Sequence, residues 1–185
     1  MQPESPAIAV VYPEFYGVQG IARYVDSFLA NLPENHPPVL LVTGTEHRRE
    51  VSYPGVQIHH IPLVADRFSL FRWGLQAKSY LLQAHAQGKI GMVNYHWPPL
   101  IPGLFLPSSI PTVLTAHTTY LGMSGKFYPR PYYQSQWSPT SVRVKRWMEQ
   151  RILAKTDRIV ALTEQGRQEV LQYGFNRPID IVPNG

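Results

Sequence analysis

Short continuous apolar runs alternate along this chain with stretches of helical spacing. That alternation admits few architectures. Residues 7–12 (AIAVVY) form the first run, the pattern of a strand buried on both faces. Ile21, Tyr24, Val25, Phe28, Leu29 and Leu32 then recur at helical spacing and predict one apolar helix face. Further strand runs fall at 39–43, 56–62, 90–95, 112–116, 158–162 and 179–182. Helices are expected at 68–87 (face Phe71, Leu75, Leu82), 140–155 (face Val144, Trp147, Met148, Ile152) and from 164 to Gly174, with a short apolar helix near 100–106. Gly88 is placed to stop the second long helix and Thr163 to cap the last one. Strands alternating with helices imply βαβ crossovers and a mostly parallel sheet covered on both faces. The expected fold is therefore α/β, doubly wound and Rossmann-like.

Residues 1–6 are polar and expected to be a disordered lead-in, with one domain over 7–185; no basic n-region marks a signal peptide. The apolar fraction of 44% against 16% charged suits a folded core. With no cysteine, neither a disulfide framework nor a thiolate metal site is available. The apolar runs are short and broken by proline or charge, so no membrane span is expected. Net charge is +5, and its distribution is uneven: no acidic residue lies between Asp66 and Glu149, while nine Lys and Arg do. Any single one of these is most simply a solvated surface cation. The long acid-free stretch together points to an anionic partner.

In a doubly wound fold, ligands sit outside the carboxyl ends of the strands. Three loops qualify. The first, 12–24, carries Gly17 and Gly20 between strand and helix, where a backbone can approach a phosphate and a helix N-terminus can face it. The simpler alternative is a tight turn. The spacing is not the Gly-x-Gly-x-x-Gly dinucleotide fingerprint, and only Glu46 stands near a ribose-binding position, so NAD is not expected. The second and third sites are His96 and His117, each just past a strand. A lone histidine is usually structural; two at the ends of separate strands raise the prior of a site. Neither has partners at metal-ligand spacing, and no Gly-x-Ser-x-Gly elbow occurs. The loop 118–139 offers aromatic faces such as Tyr120 and cations at Lys126 and Arg130, suited to a sugar or a base, or to packing on the domain. Helix 140–155 is basic and contains Trp147, which suits either a solvated face or an anionic membrane.

Taken in order, these segments resemble a known family. Gly17-Val-Gln-Gly-Ile-Ala-Arg-Tyr-Val25, Thr112-Val-Leu-Thr-Ala-His117, Arg151 through Glu164 (RILAKTDRIVALTE) and Asp180-Ile-Val-Pro-Asn-Gly185 are similar to landmarks of retaining glycosyltransferases with the GT-B fold, family-four type. The resemblance implies the N-terminal, acceptor-side domain of an enzyme that moves a sugar from a nucleotide diphosphate sugar to an acceptor hydroxyl with retention. It implies that Gly20, with Gly17 shaping the loop, contacts the donor diphosphate. It implies that His117 serves the reacting centre and that His96 lies on the acceptor side, where the aromatic, basic loop would add Tyr120, Lys126 and Arg130. The acceptor would be a sugar or a lipid-linked sugar. No cofactor and no metal are expected, and no nucleic acid. A cytoplasmic setting is expected, with a peripheral place on the inner membrane face left open by the basic helix 140–155.

Two departures bear on the site: Gln19 stands where the family often has a second glycine, and Thr118 where an acid is frequent. Pro183-Asn184-Gly185 reads as the turn into a second, donor-binding domain, without which the chain is expected to be inactive. The competing expectation is a non-enzymatic Rossmann-like module that binds an anionic membrane, glycan or nucleic acid. A nucleotide-sugar epimerase is a weaker third.

Overall fold

A computed structural model describes residues 5–17, 20–45, 50–64, 66–96, 105–123 and 139–183. Among them, strands β1 (Ala7–Val11), β2 (Val39–Gly44), β3 (Val56–Ile61), β4 (Ile90–His96), β5 (Thr112–Ala116), β6 (Arg158–Ala161) and β7 (Ile179–Ile181) alternate with helices α1 (Gly20–Ala30), α2 (Ser69–Ala86), α3 (Pro139–Lys155) and α4 (Glu164–Leu171). The chain divides into two compact units, residues 1–95 with 101–112, and 96–100 with 113–185.

The first unit is built on a parallel sheet with strand order β3-β2-β1-β4. β1 pairs with β2 on one side and β4 on the other, so the winding reverses at β1, the switch point of a doubly wound fold. β2 is buried along its whole length, as a continuous Val39-Leu-Leu-Val42 run requires when both faces are covered. α1 buries Ala22, Val25 and Leu29, and Phe28 turns 37% to solvent. α2 differs more from the sequence reading. It buries Trp73, Gly74, Ala77, Leu81 and Ala84, while Phe71 and Leu75 stand about half exposed. Apolar residues surround this helix, so periodicity alone does not select a face. The small residues let the helix approach closely enough to bury the whole of Trp73.

The second unit carries the parallel strands β5-β6-β7 with α3 and α4. Thr163 caps α4, its hydroxyl accepting from the Gly166 N–H at 3.0 Å. Gly174 at φ +78 and Gly88 at φ +70 close the C-terminal turns of α4 and α2, where a left-handed residue is needed. α3 also faces differently from its apolar pattern: Val144 and Trp147 are more than half exposed, and Glu149 and Leu153 point inward. No helix among the described residues is long and apolar enough to cross a membrane. The helix expected near 100–106 falls mostly outside the described residues.

Candidate active site

Two loops at strand carboxyl ends hold the expected residues, and each lies in its own unit. In the first unit, several contacts between neutral groups fasten the β1–α1 loop. Pro13 O accepts from the Gly44 N–H at 2.9 Å and from the Thr43 hydroxyl at 3.4 Å. Phe15 is fully buried, edge-on to Tyr16 and Tyr53. The Tyr16 hydroxyl lies 2.6 Å from His60 Nε2, and the two rings stack. Gly17 closes a turn onto Glu14 O at 2.9 Å, and a Cβ there would meet the same carbonyl at 3.0 Å. Gly20 begins α1. A Cβ at Gly20 meets nothing within 4 Å, its φ is not left-handed, and the first turn of α1 has no acidic residue. Neither packing nor backbone conformation among the described residues calls for glycine at 20.

In the second unit, His96 ends β4 and His117 follows β5. Their rings meet at 3.5 Å, His117 Nε2 to His96 Nδ1, with centroids 5.7 Å apart and planes tilted by 47°. Both are held neutral. Burial pushes His96 down to about 3, helped by the neighbouring His117, and burial pushes His117 down to about 4. A neutral pair has an N–H on one ring facing a lone pair on the other. His96 is 1% exposed and supports His117 from within, while His117 is half-buried at the surface of the unit. Tyr120 is also buried, with Lys145 Nζ 5.4 Å from its ring centroid, so its ring is packed in the unit. Desolvation lowers the pKa of that lysine. Lys126 and Arg130 lie outside the described residues.

Sequence reading missed the groups beneath His117. The backbone after it makes one short helical turn, 120–123. The Thr119 N–H and hydroxyl donate to Glu169 at 3.1 and 2.8 Å. The Tyr120 N–H donates to the Glu149 carboxylate at 2.9 and 3.0 Å, and the Leu121 N–H to the Tyr173 hydroxyl at 3.0 Å. Both glutamates are buried. Burial pushes Glu149 up to about 8; the Tyr120 N–H opposes that and Glu169 adds to it. One signal was present in the sequence: Glu149 is the acid that ends a long acid-free stretch, and it sits at helical spacing from Val142 and Leu153. Glu169 carried no comparable mark.

The family model described as Glycosyltransferase Family 4 matches residues 18–185. The chain belongs to that family. It is therefore a glycosyltransferase domain, and the matched residues include Gly20, His96, His117 and the whole anchored turn. A search of curated proteins found no match. The site offers a neutral, half-buried imidazole at His117 and a first turn of α1 that holds no acid. Among the described residues no group of three or more His, Cys, Asp or Glu is placed to hold a metal ion.

Proposed function

We propose that this domain is the acceptor side of a glycosyltransferase that moves a sugar from a nucleotide diphosphate sugar to an acceptor hydroxyl with retention of configuration. The neutral His117, held at the end of β5 against His96, carries the reading. A neutral imidazole gives or takes a hydrogen bond from a sugar hydroxyl without adding charge where an oxocarbenium-like centre develops. Departure of a diphosphate needs charge neutralisation more than covalent help. The N–H groups at the start of α1 serve that need, and Gly20, which nothing else explains, leaves room for a phosphate to reach them. Gly17 shapes the loop. Lys126 and Arg130 are proposed on the acceptor side, with His96 acting through His117. A second Rossmann-like domain of the same protein supplies the main nucleotide site in this reading, and no metal takes part.

Turnover of nucleotide diphosphate sugars by the 185 residues and by the full-length protein tests this, with the anomeric configuration of the product read by NMR. Full-length H117A is expected to lose roughly 100-fold in kcat, the scale of one lost transition-state hydrogen bond. Undiminished turnover by H117A, or an inverted product, would overturn it.

A second reading concerns location and rests on α3. Its exposed residues include Arg143, Val144, Arg146, Trp147, Arg151 and Lys155, with the Arg151 guanidinium 5.0 Å from the Trp147 ring centroid. Its one acid, Glu149, is turned inward, so the solvent face is uniformly cationic. That combination suits an anionic lipid surface and a peripheral place on an inner membrane leaflet. Co-sedimentation with anionic vesicles should fall with added salt and fall again in R143E/R151E; equal binding to neutral vesicles would remove the idea.

A further inference from the structure

Four successive N–H groups, at residues 119–122, are each taken by a side-chain oxygen. Glu169 takes Thr119, Glu149 takes Tyr120, the Tyr173 hydroxyl takes Leu121, and the Thr119 hydroxyl takes Gly122 at 2.9 Å. The two carboxylates come from different helices, α3 and α4, and converge on one turn. They are 0% and 1% exposed. Gly122 fits directly against the Glu169 carboxylate, and a Cβ there would overlap it.

A turn of this size needs no such apparatus. One Ser, Thr, Asp or Asn at its first position commonly takes one free N–H, as the Thr119 hydroxyl does here, and water takes the rest. Burying two carboxyl groups side by side is costly; the raised pKa of Glu149 keeps it protonated near neutral pH, and hydrogen bonding offsets the rest. What the arrangement provides is rigidity. The turn is tied to two helices at once, by acceptors that leave it little freedom to shift. The anchored backbone begins at Thr119, two residues after His117, and Thr115 and Ala116 before it are buried in β5. The imidazole is thus fixed from both ends of its backbone.

We propose that Glu149 and Glu169 are positioning residues for sugar transfer, clamping the 119–122 backbone and so setting where His117 presents its ring. The proposal rests on the reading of His117 as a site residue, and the experiment separates the two. In the full-length enzyme, E149A and E169A are expected to lower kcat about 10- to 100-fold with KM for the nucleotide sugar little changed, the scale of a displaced catalytic group. E149Q and E169Q should recover much of that, because an amide oxygen still accepts the N–H.

Milder variants decide the matter where the alanine forms do not fold. Y173F and T119V each remove one arm of the clamp and should shift the His117 ring-nitrogen NMR resonances while lowering kcat several-fold. Folded variants with kcat within about twofold of the parent, or with the whole loss in KM, overturn the clamp. H117A is measured beside them. If H117A is fully active, the site reading fails; if H117A is impaired and folded clamp variants are not, only the clamp fails.

Discussion

The β1–α1 loop and the turn after β5 both follow the carboxyl ends of strands, and the contacts that hold them differ. Those of the first include neutral groups: carbonyl contacts to β2, a buried Phe15 and the Tyr16–His60 pair. The start of α1 carries no acid in its first turn, though Glu14 lies earlier in the same loop. In the second, carboxyl groups from the protein itself accept hydrogen bonds from the N–H groups of the turn. There the N–H groups of residues 119–122 are taken by side-chain oxygens. In the proposed function an anionic ligand meets the start of α1, and the imidazole of His117 acts at the second site.

Substitution of glycine in the two places should separate them most sharply. Gly122→Ala is expected to cost about 3 kcal/mol in urea unfolding, because the new methyl must displace the Glu169 carboxylate from a packed interior. A midpoint equal to that of the parent would show that the wedge between turn and carboxylate is not rigid.

The pH dependence of stability should come next. The folded-state pKa of Glu149 is raised from 4.5 to about 8, so its contribution is full below about 4.5 and is lost as pH rises towards 8. That of His117 is lowered from 6.5 to about 4, so its contribution is present above 6.5 and is lost as pH falls towards 4. Unfolding free energies measured between these limits should lose the alkaline-side fall in E149Q and only part of the acid-side fall in H117Q, because His96, lowered to about 3, supplies the rest. An unchanged profile in both would mean that these groups do not titrate across the folding transition.

In the first loop, Tyr16→Phe should cost only about 1 kcal/mol, the net value of one hydrogen bond, since the buried ring remains. The smallest effect on stability belongs to Gly20→Ala: roughly 0.5 kcal/mol, in the stabilising direction, because nothing obstructs the methyl. The same change should weaken nucleotide diphosphate sugar binding by the full-length enzyme about tenfold in titration calorimetry. Undiminished affinity would detach the first loop from the donor.

The order of elements was legible because a strand buried on both faces and an amphipathic helix leave different apolar periods. The cap at Thr163 and the stops at Gly88 and Gly174 were legible because they depend on local geometry alone. Helix faces were read less well. Phe71, Leu75, Val144 and Trp147 look like core residues and stand exposed, while Glu149 looks like surface and is buried. Hydrophobicity predicts burial on average; it fails on α2, where apolar residues lie all round, and on α3, where Glu149 enters the unit as a hydrogen-bond acceptor.

The candidate site divides along the same line. Gly20, His96 and His117 were visible because the fold rule says which ends of the strands to inspect. The clamp was not: Thr119, Glu149, Glu169 and Tyr173 lie up to 54 residues apart, and no local pattern links them. By itself the amino-acid sequence determined the α/β order, the family likeness and the positions of the two histidines, all properties of neighbouring residues. The tertiary structure alone decided which carboxylates enter the interior and which backbone groups they hold, because that depends on packing between helices far apart in the chain.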